Sequence, residues 1–303
     1  MAFTAFSTGT AKEQAPRRKS KIALLLLLPG ILYLMLFFLV PLVALIATSL
    51  QEPIPFGDFG QYQTAFRWQN YVEVITSYGD QIIRSFSYAL LATIFALFFS
   101  YPIAYFIGVK CRPWPMLQNL LLVLVIAPFF ISFLLRTLAW KSILADEGIV
   151  ITSLKALALM GPDEHFTGTG AAVVFGLTYN FIPFMTLPIY ASLERLDTRL
   201  LEAGRDLYAK PATSFFKITV PLSMAGIVSG VLLTFIPAAG DYINASSRFL
   251  GSSSTSMIGN VIESNFLVSL NYPAAAALSI ILMSIILVLV TVYVKRSGTE
   301  DLL

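Results

Sequence analysis

The 303-residue chain has one cysteine, Cys111, and one histidine, His165. A lone cysteine closes no internal disulfide and supplies no multi-thiolate metal site, so neither a staple nor cysteine redox chemistry is expected. His165 stands beside Asp163 and Glu164, but no H-E-x-x-H or G-x-S-x-G occurs, so a solvated loop accounts for it better than a metal or catalytic centre. No Gly-Lys pair exists, hence no G-x-x-x-x-G-K-[ST] loop to cradle ATP phosphates. Charge is scarce too: Asp, Glu, Lys and Arg make up 12% of the chain, against about 25% in a soluble domain. These absences predict a non-catalytic chain that binds no cofactor or metal of its own. The net charge of +3, placed beside apolar runs, gives no reason to expect nucleic acid.

Apolar residues are abundant, at 57% of the chain, and the mean hydropathy is +0.77. A bilayer span needs about 20 mostly apolar residues. The pattern predicts an all-α integral membrane protein of about six spans, near 22–49, 84–108, 117–140, 170–192, 222–243 and 273–294. The first run is too long for a signal-peptide core of about 7–15 residues and reads as a retained span. Pro29, Pro41, Pro102, Pro128, Pro183, Pro188 and Pro237 fall inside spans, where each either bends the helix or is simply tolerated.

Lys and Arg in short loops mark the cytoplasmic side. They gather in the tail 1–21 (Lys12, Arg17, Arg18, Lys19, Lys21), in 109–116 (Lys110, Arg112), in 193–221 (Arg195, Arg199, Arg205, Lys210, Lys217) and at Lys295 and Arg296. Acids dominate the alternate loops, so both termini are expected in the cytoplasm, with tails 1–21 and 296–303 flanking a transmembrane domain 22–295. On the opposite side, Ile149 to Met160 reads as a short amphipathic helix lying on the outer face.

The loop 193–221 is long and mixed in charge. Leu193, Leu196, Leu200, Leu201, Ala203 and Leu207 recur at helical spacing among charged residues, which predicts an amphipathic helix through Leu207. Lys210-Pro211 ends it and opens a second helix running to about Pro221.

Glu202-Ala203-Gly204 followed by Ile218-Thr219-Val220-Pro221 resembles the EAA motif of type I ABC importer permeases, whose architecture is called MetI-like. Arg136 to Trp140, Thr178 to Phe184, Gly240 to Ile243 and Met257 to Asn260 are similar to the spermidine/putrescine subgroup. The resemblance implies a coupling helix that docks in a groove of an ABC ATPase dimer, where ATP and Mg bind. It also implies a second, similar permease subunit, an extracytoplasmic substrate-binding protein and a bacterial inner membrane around the chain. The site residues it implies are Glu202, Ala203, Gly204, Asp206, Leu207, Tyr208 and Pro221.

Three positions depart from the motif: Gly204 replaces an alanine, Tyr208 a glycine and Val220 a leucine. A tyrosine with positive φ costs about 1 kcal/mol or more. The turn is therefore expected to shift to Ala209-Lys210-Pro211, leaving Tyr208 to anchor in the ATPase groove or to lie on the membrane interface.

Asp241 follows the fifth span, and an acid near membrane depth usually faces a polar cavity or a partner. For a polycationic substrate the expected path residues are Asp241 and Tyr242, with Glu263 near the outer mouth and Trp140 and Tyr179 as further aromatic faces. The alternative is that Asp241 caps a helix or pairs with Arg136 or Arg248. An ATP-independent carrier or channel is the competing class, and it has no reason to shape 193–221 in this way.

Overall fold

The computed structural model describes residues 21–56 and 58–296, with side chains from Leu25 onward. The basic tail with Lys12, Arg17, Arg18 and Lys19, and residues 297–303, lie outside the described residues. The chain divides into two compact units at Leu45.

The first unit is helical from Lys21, with a π-helical turn at Met35–Leu39. Its Leu, Ile and Phe side chains are exposed along the helix, as a lipid-facing span requires.

In the second unit, Gln69–Lys110, Gly170–Glu194 and Tyr272–Arg296 are long and apolar enough to cross a membrane. Two bent pairs complete the set: Pro115–Phe130 with Phe133–Ala156, at 95°, and Pro211–Leu222 with Met224–Ala239, at 66°. Counting each pair as one span, and with Leu25–Ser49, the total is the expected six.

Three expected boundaries change. The second helix begins at Gln69, not near residue 84, and bends at Tyr78, whose φ and ψ are −124° and 18°. Its N-terminal part carries Glu73, Asp80 and Arg84, which a search for apolar runs rejects. The third span is broken. Pro128 sits in a 3₁₀ turn, Ala127–Phe130, and Ile131 is extended before a new helix starts at Phe133. Pro183 and Pro188 do not break the fourth helix. The fifth helix stops at Ala239, which leaves Asp241 in the turn beyond it.

The core lies where the helices Gln69–Tyr105, Gly170–Glu194 and Met224–Ala239 meet. Ala89, Ala92, Ala238 and Ala239 pack with Val173, Leu177 and Phe181, and small side chains let these backbones approach closely. A second cluster, with Ala96, Tyr101, Ile107, Met185, Ile189 and Leu193, lies toward the 193–221 loop. The amphipathic helix expected from Ile149 forms over Ile149–Ala156.

Candidate functional site

The helix Gly170–Glu194 ends where Leu193 and Leu196 are drawn into the core, and Asp197 starts a new helix, Thr198–Asp206. The Asp197 carboxylate accepts from the Arg199 backbone N–H at 3.0 Å, an N-cap that sets the boundary. The loop helix is thus shorter than the Leu193–Leu207 reading. It turns Glu202, Ala203, Arg205 and Asp206 outward and buries Gly204. A Cβ at Gly204 would lie 3.0 Å from Ile218 Cδ1 and 3.3 Å from Ser214 Oγ, so a minimal side chain lets the two halves of the loop cross closely.

The expected shift of the turn does not occur. Tyr208 takes a φ of 57°, the left-handed conformation usually given to glycine. Its N–H donates to Arg205 O at 2.8 Å, and Ala209 N–H donates to Gly204 O at 3.0 Å. These are the two bonds of a Schellman motif, and they satisfy helix-end carbonyls at the left-handed residue's cost of about 1 kcal/mol. Lys210 is extended and Pro211 opens the next helix, as the sequence reading has it. Tyr208 is 96% exposed and Leu207 82%.

The second half runs through Pro211–Ser214, the π-helical turn Phe215–Thr219 and Val220–Leu222, then bends at Ser223. Pro221 is exposed. Phe215 meets Tyr101 and Tyr105 edge-on, with centroids 5.4 and 5.6 Å apart. The Ser223 and Tyr101 hydroxyls share a buried hydrogen bond of 2.8 Å.

At the far end of Met224–Ala239 lies the Asp241 turn. Asp241 is only 6% exposed, and its carboxylate accepts from Asn244 N–H at 2.8 Å and from Asn244 Nδ2 at 3.1 Å. Asn180 Nδ2 reaches both Asn244 Oδ1 (3.2 Å) and Thr137 Oγ1 (3.3 Å), which joins three segments of the chain. Among the described residues Asp241 makes no ion pair with Arg136 or Arg248; it braces its own turn. Arg136 is buried, with its guanidinium 5.6 Å from the Phe133 ring and its Nε and Nη1 without partners.

The other path candidates are dispersed around this network. Tyr242 is about half exposed, and its carbonyl accepts from Asn260 Nδ2 at 2.6 Å. Trp140 packs edge-on against Phe175 and Tyr179, at 4.8 and 5.1 Å. Tyr179 also lines an apolar groove of about 550 Å³ with Ile103, Leu121, Val125 and Pro183. Glu263 is half-buried on the helix Ile258–Leu267, one turn beyond Asn260. Asn180 and Asn244 escaped the sequence reading because a buried asparagine pair announces itself only through tertiary contact. The one available signal was polar side chains beside otherwise apolar spans.

No protein-family profile matches the chain. The spermidine/putrescine transport system permease protein PotB of Haemophilus influenzae is 35% identical over 266 residues, covering 88% of this chain and 90% of that protein. Two solved structures share the fold, each at 17% identity. A bacterial ABC transporter that imports the acidic polysaccharide alginate has a TM-score of 0.63, over 92% of this chain and 96% of that one. The MetNI methionine ABC transporter has a TM-score of 0.57, over 73% and 94%. The chain belongs to the family of spermidine/putrescine transport system permeases, the membrane-spanning subunits of ABC importers.

Proposed function

We propose that this chain is one permease subunit of an importer that moves polyamines such as spermidine and putrescine, or a related organic amine, across the bacterial inner membrane. ATP and Mg bind in a separate ATPase dimer, whose groove receives the loop 193–221 at the cytoplasmic face. A second permease subunit, a different but similar chain, completes the channel, and an extracytoplasmic binding protein delivers substrate to the opposite face. Both termini lie in the cytoplasm.

The observation that carries this reading is the exposed Glu202–Tyr208 surface. Leu207 and Tyr208 project from a tightly closed turn and are almost fully exposed among the described residues, and an aromatic anchor is what a docking groove takes up best. The pathway assignment divides the outer residues by role. Tyr242 offers the path a cation-π face, Asp241 holds the turn that presents it, Glu263 stands near the mouth, and Trp140 and Tyr179 form the aromatic wall.

Co-expression with the neighbouring genes, purification of the complex and assay of its ATPase with amine-loaded binding protein test the whole reading. Spermidine or putrescine should stimulate hydrolysis. Recovery of the permease with no ATPase subunit would overturn it.

A further inference from the structure

The 193–221 loop is fastened at both ends to the helix Gln69–Tyr105 and the turn that follows it. At the loop's entry, Arg112 lies just past the π-helical turn Phe106–Lys110. Its Nη1 donates to Leu196 O at 3.0 Å, and its Nη2 donates to Leu193 O at 3.2 Å and to Glu194 O. Those three carbonyls belong to the end of Gly170–Glu194 and the link to the loop helix, where a helix end carries partial negative charge; Leu193 O also accepts from the Leu196 N–H. A guanidinium suits this place because its planar fork reaches several acceptors at once.

The backbones are close here as well. A Cβ at Gly108 would lie 3.3 Å from Leu193 Cβ and 3.5 Å from the Glu194 nitrogen. Cys111, next to Arg112, is fully buried. A neighbouring chain of bonds adds to the joint: Gln118 Nε2 donates to Tyr190 OH at 3.1 Å, and Tyr190 OH donates to Glu194 Oε1 at 2.8 Å. At the loop's exit, Tyr101 holds Ser223 at the 66° bend, with Phe215 against Tyr101 and Tyr105.

We infer that Arg112 and Tyr101 are positioning residues that make the loop and the 69–110 helix one moving part, so that a push on the loop helix is delivered to that helix as well as to Gly170–Glu194 and Met224–Ala239. This rests on the loop being the ATPase contact. Packed, hydrogen-bonded elements transmit displacement, whereas a loop attached only through its two chain ends would yield locally. Arg112 is the more specific half of the pair, because it bridges segments far apart in sequence through backbone acceptors that any loop sequence would present.

Spin labels at Trp114→Cys and Arg199→Cys, both exposed positions, report on the joint in the reconstituted complex with its ATPase and second permease. Buried Cys111 stays in place. The 114–199 distance should be the same with and without nucleotide, while a pair spanning the ATPase and position 199 shows that nucleotide is bound and acting. A nucleotide-dependent change in 114–199 in a complex that still transports would overturn the inference. A complex that binds no ATPase would instead overturn the coupling role itself.

Arg112→Ala should assemble and hydrolyse ATP, yet move about fivefold or more less substrate per ATP. Arg112→Lys, which keeps the charge and one or two of the donors, should recover part of that ratio. A purely structural role predicts that transport and hydrolysis fall together and that the ratio stays constant, and that result too would overturn the inference.

Discussion

The two ends of the helix Met224–Ala239 handle polar and apolar groups in opposite ways. Beyond Ala239, the Asp241 turn is buried and its carboxylate is satisfied within the chain: the carboxylate meets Asn244, Asn244 meets Asn180, and Asn180 Nδ2 meets Thr137, with Asn180 Oδ1 left unpaired among the described residues. Before Met224, the Glu202–Tyr208 turn closes its own backbone bonds but leaves Leu207 and Tyr208 in the open. Buried hydrogen bonds made between segments of one chain help to specify that chain's fold. Exposed apolar side chains on a tightly held turn are open to contact with another molecule. The contrast supports the proposal that one end serves structure and the other a partner.

The largest expected effect breaks the buried end. Asp241→Ala leaves the Asn244 N–H and side-chain amide without an acceptor and should cost about 2–3 kcal/mol, read as a lowered unfolding temperature of the purified permease in detergent. Asp241→Asn keeps an acceptor oxygen and should lose less than half as much. If the two variants unfold alike, the turn is not held by that carboxylate.

Next comes Gly204→Leu, which forces a branched side chain between Ile218 and Ser214 and should destabilise the loop by about 1–3 kcal/mol. Gly204→Ala should be nearly neutral, because the Ile218 methyl can move and alanine favours the helix. Proteolysis rates at the loop distinguish the two.

Tyr208 sharpens the comparison from the other end. Tyr208→Ala should leave the permease's own stability unchanged and weaken ATPase binding about tenfold, near 1–2 kcal/mol, measured by co-purification against ATPase concentration. Tyr208→Gly should stabilise the turn by about 1 kcal/mol and weaken binding equally, so stability and assembly move in opposite directions. A variant that loses both together would place Tyr208 with the structural residues.

The smallest effect lies in the turn past Leu144. The His165 hydrogen bond to Asp146, at 2.7 Å, together with Lys155 at 3.7 Å, holds the Asp146 carboxyl below its ordinary value of 3.8. A lowered carboxylate pKa stabilises the folded form above that ordinary value, and the contribution is lost as the pH falls through the lowered one. Asp146→Asn should remove this acid dependence, seen as a flat proteolysis rate at the 145–165 segment across the acidic range.

Six apolar spans were legible because hydropathy is set by composition, and the bilayer leaves few alternatives to a helix. Their interruptions were not. Pro128 breaks its span while Pro183 and Pro188 do not, since the outcome depends on whether surrounding helices hold the chain straight. The 69–83 extension was hidden by its own charges. At Tyr208 the sequence identified the unusual residue but misplaced its consequence: steric cost argued for moving the turn, and the hydrogen bonds from Tyr208 and Ala209 kept it. For Asp241, neither the helix cap nor the ion pair matches the geometry: its carboxylate closes a non-helical turn on Asn244, a contact that needed Asn244 in view.

The most direct test of the loop's role is a photoreactive amino acid at position 208, activated in membranes that contain the whole transporter. The expected result is a covalent adduct with the ATPase subunit. Adducts confined to lipid, or to this chain itself, would contradict the assignment of the exposed turn to the ATPase.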